Sequence, residues 1–251
     1  MENSWVDDYY DTLEFFYWEP QHLGRKKHVD SKFNTSAKVQ GHLRSMEVTL
    51  NHQLKQFFTL APSSLRNRVF EFAFRRPISG DFVMAGRDAD KKYHLENTTQ
   101  PDFLFIAGDK SVSIEMKMGA KSSIKQVLKY ALLALAVERF DGVKREHLLL
   151  FMGSGGFPSL WHEGFADVED MGKMLERERL AFLTGKPRHF QELEARFFEI
   201  VSSLSVEFIN YGALAGVFEA EVALCDESLG GEVYRNLVGG MVAELKRRGL
   251  A

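Results

Sequence analysis

Hydrophobic and polar residues alternate strictly along the segment Ser111–Met118. The apolar positions are Val112, Ile114, Met116 and Met118. The polar positions are Ser111, Ser113, Glu115 and Lys117. This period of two predicts a half-buried β-strand with one core face and one polar face. The short apolar run Phe103–Ile106 precedes it, and Gly108-Asp109 between the two segments is a two-residue turn sequence. The pattern therefore predicts a β-hairpin.

The predicted hairpin sets two acidic residues against each other. If the turn is centred on the glycine-aspartate pair, Ile106 pairs with Ser111, and counting back along both strands places Asp102 opposite Glu115. Like charges that face each other directly across two strands destabilise a sheet. A divalent cation would compensate, because Mg²⁺ takes one or two carboxylate ligands and completes its shell with water and substrate phosphate.

Lys117 lies two residues beyond Glu115 and therefore on the same face of the strand. From there its ammonium group can reach a water or a phosphate beside the metal. The alternative interpretation is that Glu115 and Lys117 form an exposed charge pair and that Asp102 caps the strand, since surface charge pairs are common and individually contribute little.

The segment 121–140 that follows predicts a helix, because apolar residues recur along it at helical spacing and Ser122 or Ser123 can cap its start. Gln126 and Tyr130 are four residues apart and share one face of this helix. Taken alone, they indicate an ordinary half-buried polar edge. A separate cationic stripe, otherwise a solvated face, consists of Lys121, Lys125 and Lys129.

Three short motifs stand close together in this part of the sequence: Pro101-Asp102, Glu115-Met116-Lys117, and Gln126 with Tyr130. Together they resemble the PD-(D/E)xK nuclease superfamily, in the RecB-like branch whose helix carries a QxxxY motif. The resemblance implies an α/β fold with a central mixed sheet flanked by helices, the restriction-endonuclease-like core. It also implies Mg²⁺-dependent hydrolysis of phosphodiester bonds, with Mn²⁺ as a substitute.

The same resemblance implies the metal ligands. Asp102 and Glu115 would bind the metal through their carboxylates, and Met116 would contribute its backbone carbonyl. The family pattern also has an acidic residue on an upstream helix, for which Glu71 is the nearer candidate and Glu47 is the rival.

Glu71 stands between Phe70 and Phe72, which favours a helix buried against a sheet. The alternative role for the Glu71 carboxylate is an ion pair with an arginine at helical spacing.

The remaining motif residues would act on the reaction itself. The resemblance implies that Lys117 orients the attacking water and offsets charge on the phosphate, while Gln126 and Tyr130 position that lysine and the scissile phosphate. We expect the cationic stripe to contact the substrate backbone because it adjoins this site: Lys121, Lys125 and Lys129.

Composition narrows the class of protein. The 251 residues are 45% hydrophobic and 27% charged, which suffices for a substantial core. The single cysteine, Cys225, excludes an internal disulfide framework, and the eight histidines suggest neither a zinc site nor a nucleophilic triad. No apolar run approaches membrane-span length and the N-terminal sequence is unlike a signal peptide, so we expect a cytoplasmic protein without a membrane partner.

Domain organisation is predicted as three segments: an aromatic, helical N-terminal extension (1–60), the nuclease core (61–156) and a C-terminal helical region (157–251). Helices are predicted there over Phe165–Leu183, His189–Gly212 and Glu232–Arg248. The N-terminal aromatics are expected to pack onto the domain or onto a second subunit of a homo-oligomer, with stacking on nucleic-acid bases as the alternative.

The formal net charge of −3 argues against binding nucleic acid by bulk attraction, so local cationic patches must do so. The resemblance implies a metal-dependent nuclease that acts on nucleic acid, with DNA as the expected substrate. Bacterial or phage nucleic-acid processing or defence is the setting that the resemblance suggests. The alternative is a catalytically inactive nucleic-acid-binding or scaffolding member of the same fold.

Overall fold

The structure of the chain, a computed structural model, describes residues 4–19, 33–85, 89–95 and 99–251. Its strands are β1 (Val83–Met84), β2 (Phe103–Ile106), β3 (Lys110–Lys117), β4 (Glu146–Gly153) and β5 (Ser205–Asn210). Its helices are α1 (Trp5–Trp18), α2 (Ser36–Ser45), α3 (Glu47–Leu60), α4 (Ser63–Phe74), α5 (Ala89–Lys92), α6 (Ile124–Asp141), α7 (Val168–Thr184), α8 (Arg188–Gln191), α9 (Glu194–Ser203), α10 (Tyr211–Ala223) and α11 (Leu229–Arg247).

The five described strands form one mixed sheet in the order β1-β2-β3-β4-β5. The pairs β1–β2 and β2–β3 are antiparallel, whereas β3–β4 and β4–β5 are parallel. Two parallel neighbours need a long crossover connection, and α6 supplies it between β3 and β4. The predicted α/β class, with a central mixed sheet flanked by helices, is confirmed.

The predicted hairpin is formed by β2 and β3. Ile106 pairs with Ser111, as the turn sequence predicted. The turn is closed by Ala107, whose N–H donates to the carbonyl oxygen of Lys110 at 2.9 Å. The register of the hairpin is therefore fixed locally by its two-residue turn.

Strand β3 is buried on both faces, so the expectation of an exposed polar face is wrong. On one face, Val112 pairs with Phe105, whose ring lies 5.5 Å from that of Phe70 on α4. On the other face, Glu115 is covered by Tyr130 of α6. Central strands with parallel neighbours are commonly covered by helices on both sides, and here α6, α7 and α9 pack together over the polar side.

The helix predicted over His189–Gly212 is interrupted by a strand. Helices α8 and α9 occupy its first part, but Ser205–Asn210 forms β5 and pairs in parallel with β4. Apolar and polar residues alternate weakly along this short segment, and its partner strand is more than fifty residues away in the sequence. A contact so distant in the chain decides the local structure.

The chain divides into two compact units. One comprises Pro62–Tyr211 and contains the whole sheet, and the other comprises the chain up to Ala61 together with Gly212–Ala251. The segment predicted as a C-terminal helical region, 157–251, is thus shared between the units. None of the helices in the described ranges is long and apolar enough to cross a membrane.

Within the unit that joins the chain ends, α1 is held by a buried hydrogen-bonded group. Tyr10 donates its hydroxyl proton to Glu244 Oε1 at 2.5 Å and accepts from Arg248 Nη2 at 2.5 Å. Arg248 Nε also donates to Glu244 Oε1 at 2.7 Å. This tyrosine of the N-terminal aromatic segment therefore packs inside its own unit.

Candidate active site

The acidic residue before β2 is anchored to the backbone of β3. The β2–β3 ladder ends at the pair Phe103–Ile114, so the predicted direct pairing of Asp102 with Glu115 is not part of it. Instead, Asp102 Oδ2 accepts a hydrogen bond from the N–H of Met116 at 2.7 Å. The ladder cannot continue regularly because the next residue, Pro101, has no N–H to donate.

Glu115 lies at the centre of the site and is only 6% exposed. Its Oε1 lies 2.6 Å from Lys117 Nζ, and its Oε2 accepts a hydrogen bond from the hydroxyl of Tyr130 at 2.5 Å. The Glu115–Lys117 pair exists, but the alternative that it is exposed is wrong, because the lysine side chain is 18% accessible and the glutamate side chain 8%. A carboxylate in such surroundings needs both partners to offset its desolvation.

The negative charges of both acidic residues affect the pKa of Tyr130. Burial raises the pKa of Tyr130 well above its ordinary value, and the negative charges of Glu115 and then Asp102 raise the pKa further. The phenol is therefore protonated at neutral pH and acts as a hydrogen-bond donor. Two carboxylates thus act electrostatically on one buried hydroxyl, although their predicted direct pairing across the hairpin is not formed.

Helix α6 begins after Ser123, one of the two predicted N-cap residues. Its first residue is Ile124, so Lys121 lies before the helix and not on its cationic stripe. Ser123 is the N-cap residue but makes no side-chain capping bond. That bond comes from a distant residue, Glu163, whose Oε1 accepts from the N–H of Ile124 at 3.0 Å.

The two QxxxY residues both lie on α6. Gln126 is half-buried in its first turn, and Tyr130 follows one turn later on the same face. Tyr130 reaches the strand and contacts Glu115, as described above. The structure therefore joins the tyrosine of this motif directly to the glutamate of the ExK motif.

The upstream acidic residue is engaged with backbone. Glu71 Oε1 accepts a hydrogen bond from the N–H of Ile78 at 3.3 Å, where the chain leaves α4. Phe70 is buried and its ring lies 5.5 Å from that of Phe105 on β2, as predicted for a helix packed against the sheet, whereas Phe72 is 54% exposed. Glu47 is the first residue of α3 in the other unit.

The oxygen donors of Asp102, Glu115 and the Met116 carbonyl suit a hard divalent cation of the Mg²⁺ type. Within the described ranges, no three or more His, Cys, Asp or Glu side chains gather into a metal-binding group. Mg²⁺ is usually held by only one or two carboxylates, with waters and substrate phosphate completing its shell. A carboxylate has about four lone-pair sites, so Glu115 and Asp102 retain acceptor capacity beyond the hydrogen bonds above. The Met116 carbonyl lies on the same strand segment.

The charge of one lysine of the predicted cationic stripe acts on a lysine from a distant part of the chain. Lys125 is exposed and Lys129 is half-buried on α6. Burial lowers the pKa of Lys186, and the positive charge of Lys129 lowers it further, which places the two ammonium groups within electrostatic reach. Sequence reasoning missed Lys186 because it follows α7, and no local pattern connects that helix with α6.

The glycine-rich loop after β4 lies beside Lys117, although its sequence lacks the GK[ST] ending of a P-loop. Lys117 pairs with Gly153 at the carboxyl ends of β3 and β4. A pocket of about 190 Å³ opens there and is lined by Lys117 and by the loop that continues through Ser154, Gly155 and Gly156. Only the parallel pairing brings this loop to the lysine.

A second polar cluster lies at the opposite end of β3. Ser111 Oγ lies 2.6 Å from His147 Nδ1, and His147 Nε2 lies 3.1 Å from Glu138 Oε1. Burial lowers the pKa of His147 despite the contact with Glu138, so the ring is neutral at pH 7. The order of the three residues matches a nucleophilic triad, but Ser111 is 3% exposed and no substrate can reach it. The cluster therefore has a structural role.

Glu138 in this cluster is held by a bidentate arginine. Arg196 Nε donates to Glu138 Oε2 at 2.8 Å, and Arg196 Nη2 donates to Oε1 at 2.6 Å. Burial raises the pKa of Glu138, but hydrogen bonds from Arg196, the Arg145 backbone and His147 outweigh burial and lower the pKa to about 2. The pairing therefore stabilises the fold fully above about pH 4.5, the ordinary pKa of the group, and is lost as the pH falls through about 2.

Replacing Arg196 by methionine should destabilise the protein by about 3 kcal/mol at pH 7, because a buried carboxylate loses its charged partner. Chemical denaturation measures this difference, which should shrink as the pH falls from 4.5 towards 2. Arg188→Met is the matched control, since its ion pair with Glu192 is exposed and its loss should cost less than about 1 kcal/mol. Equal effects of the two substitutions would contradict the assignment.

The described geometry is that of an α/β protein in which a buried glutamate, a lysine and a tyrosine meet at the carboxyl end of a central strand. Comparison of the chain with family models, curated protein sequences and solved structures finds no significant match.

Proposed function

We propose that this protein is a Mg²⁺-dependent nuclease of the PD-(D/E)xK type that hydrolyses phosphodiester bonds in DNA. The observation that carries the proposal is the contact set of Glu115, whose two carboxylate oxygens are held by Lys117 and Tyr130. Asp102 is anchored beside this glutamate through the Met116 N–H. Bacterial or phage nucleic-acid processing or defence is the proposed setting.

The residues proposed to hold the metal are Asp102, Glu115 and the Met116 carbonyl, with Glu71 as the further acidic candidate. When bound, Mg²⁺ would supply positive charge to the phosphate oxygens and lower the pKa of a bound water. The carboxylates of Asp102 and Glu115 suit this hard cation because they are oxygen donors. Tyr130 fixes the direction of the Glu115 carboxylate by donating its hydroxyl proton.

Lys117 is proposed to act on the attacking water and on the phosphate. Its ammonium is a multiple N–H donor, and the contact with Glu115 at 2.6 Å fixes its position at the end of β3. In the proposal, this positive charge acts on a water molecule and on an oxygen of the reacting phosphate. Because Lys117 is held at the end of β3 by the glutamate, it is oriented before substrate arrives, and preorganised charge stabilises a transition state strongly.

The direct test is cleavage of linear, circular and single-stranded DNA during titration with Mg²⁺ or Mn²⁺. We expect cleavage that depends on the metal and is abolished by chelation. If purified protein binds DNA but cleaves none of these substrates with either metal, the inactive nucleic-acid-binding alternative is correct. Cleavage of circular DNA would further assign endonuclease activity, because a closed circle has no ends.

The lysines beside the site are proposed to follow the substrate backbone. Replacing Lys125, Lys129 or Lys121 by alanine should lower the slope of log K against log salt by about 0.7 to 0.9 for each phosphate that the protein no longer neutralises. Fluorescence anisotropy at several salt concentrations measures this slope. Lys173→Ala is the control, because this exposed lysine of α7 pairs with Glu169 on its own helix. An unchanged slope would mean that the three lysines form a solvated surface and do not contact the substrate.

A further inference from the structure

A small pocket lies beside Lys117 at the carboxyl end of β3. The loops that follow β3 and β4 form it, and its volume is about 190 Å³. Among the residues that line it are Lys117, Gly119, Gly153, Ser154, Gly155 and Ser159. The pocket lies at the carboxyl ends of parallel strands, which is where open α/β sheets generally bind their ligands.

Two glycines keep this pocket open. A Cβ atom at Gly153 would come within 3.1 Å of Phe208 Cε2 and 3.4 Å of the Lys117 carbonyl oxygen. A Cβ atom at Gly155 would come within 2.3 Å of Ser159 Oγ. Any side chain at either position would therefore displace the wall of the pocket or occupy the space beside Lys117.

The chemistry of the lining favours an anion. Lys117 is the charged residue among those that line the pocket, all of which lie in the described part of the chain. Ser154 adds a hydroxyl group that can donate a hydrogen bond, and the glycine loop brings peptide backbone close. Ser159 donates its hydroxyl proton to the Gly156 carbonyl oxygen at 2.7 Å and so holds this loop in place. Lysine and hydroxyl donors with exposed backbone are the usual partners of nucleic-acid phosphates.

The size of the pocket restricts the ligand further. Sites for complete small molecules usually measure about 300 to 1,000 Å³, so a space of about 190 Å³ suits a smaller group. One sugar-phosphate unit of a longer strand fits that description. Because Lys117 borders both this pocket and Glu115, the unit would directly adjoin the phosphate that reacts.

The geometry points to a second phosphate-binding subsite: the pocket between Lys117 and the 153–156 loop holds the phosphate of the nucleotide next to the scissile one. This inference rests on the proposed nuclease function and adds to it the part of the substrate that this loop recognises. The subsite binds one backbone unit of the strand and gives the enzyme a fixed register along it.

The test uses DNA duplexes that carry one neutral methylphosphonate at successive positions around the cleaved bond, bound in Ca²⁺ so that the strand stays intact. Wild-type protein should bind about tenfold more weakly when the neutral group replaces the phosphate held by the pocket, as expected for hydrogen bonds to a charged group. The double variant Ser154→Ala/Ser159→Ala should bind unmodified DNA about tenfold more weakly and should no longer show this position-specific sensitivity.

Controls separate the pocket from general effects. Ser79→Ala removes an exposed hydroxyl outside the pocket and should leave the methylphosphonate profile unchanged. Gly153→Ala is a second variant that intrudes on the pocket and should reproduce the weaker binding, whereas Gly172→Ala on α7 meets nothing within 4 Å and should not. Circular dichroism establishes that each variant is folded.

The outcomes distinguish the subsite from the function on which it rests. If wild-type protein neither binds nor cleaves DNA, the proposed function and the subsite both fail. If it cleaves DNA but shows the same methylphosphonate profile as the serine double variant, only the subsite is overturned. Weaker binding at one position that disappears in the variant supports the subsite.

Discussion

Lys117→Ala should slow DNA cleavage on the order of 10²-fold or more, while DNA affinity falls by no more than about tenfold, the loss expected for the contact with the neighbouring phosphate. The physical reason is that the lysine acts on charge that grows in the transition state, and such interactions lower the barrier more than they strengthen substrate binding. Single-turnover cleavage and anisotropy binding, measured on the same duplex, separate the two effects. Removing the ammonium also leaves the Glu115 carboxylate with the hydrogen bond from Tyr130 but without its ion pair.

Lys110→Ala is the matched control for this substitution. Lys110 lies on the same strand but at its other end, where it pairs with Asp109 of the turn. Its removal should leave both cleavage and binding unchanged. If Lys117→Ala cleaves as fast as wild type, the chemistry lies elsewhere and the hairpin is not the active site.

Glu115→Gln should abolish metal-dependent cleavage and weaken Mn²⁺ binding by at least about 10²-fold. Loss of groups that merely support a metal ligand costs roughly 10- to 100-fold in affinity, and loss of a direct ligand should cost no less. Glutamine keeps the shape of the side chain and can still accept the Tyr130 hydrogen bond, but it lacks the negative charge. Electron paramagnetic resonance of free Mn²⁺ measures binding independently of activity.

The control for this change is Glu146→Gln at the amino end of β4, where the carboxylate pairs with Arg76. Mn²⁺ affinity and cleavage should be unaffected there. Unchanged Mn²⁺ binding in Glu115→Gln would remove this residue from the metal site. Abolished cleavage with retained Mn²⁺ binding would instead assign Glu115 to the orientation of Lys117.

The two substitutions also separate the two classes of function. In a nuclease, both should abolish or greatly slow cleavage, and Lys117→Ala should still bind DNA. In an inactive nucleic-acid-binding protein, wild type would bind without cleaving, and replacing the buried Glu115 would change stability alone. The buried contact set is compatible with either class, so turnover by wild-type protein is the decisive measurement.

The predicted charge conflict between Asp102 and Glu115 is resolved by specific partners. Asp102 binds a backbone N–H, and Glu115 is neutralised by Lys117 and hydrogen-bonded by Tyr130. These contacts stabilise two carboxylates close to one hydroxyl.

Local patterns in the sequence determined the elements on which the site stands. The strict alternation over Ser111–Met118 predicted β3, because side chains of a strand alternate between two faces. The glycine-aspartate turn fixed the pairing of Ile106 with Ser111. The apolar spacing after residue 123 predicted α6 and set Gln126 and Tyr130 on one of its faces. Each of these features depends on residues that are close in the chain.

Tertiary structure decided the features that depend on distant partners. Both faces of β3 are buried because helices cover them, and the period of the strand cannot encode that cover. Glu163 caps α6, Lys186 approaches Lys129, and β5 forms only by pairing with β4. The pocket beside Lys117 exists because parallel pairing brings the loop after β4 to the end of β3. Local periodicity specifies which residues share a face, whereas packing between distant segments specifies what that face meets.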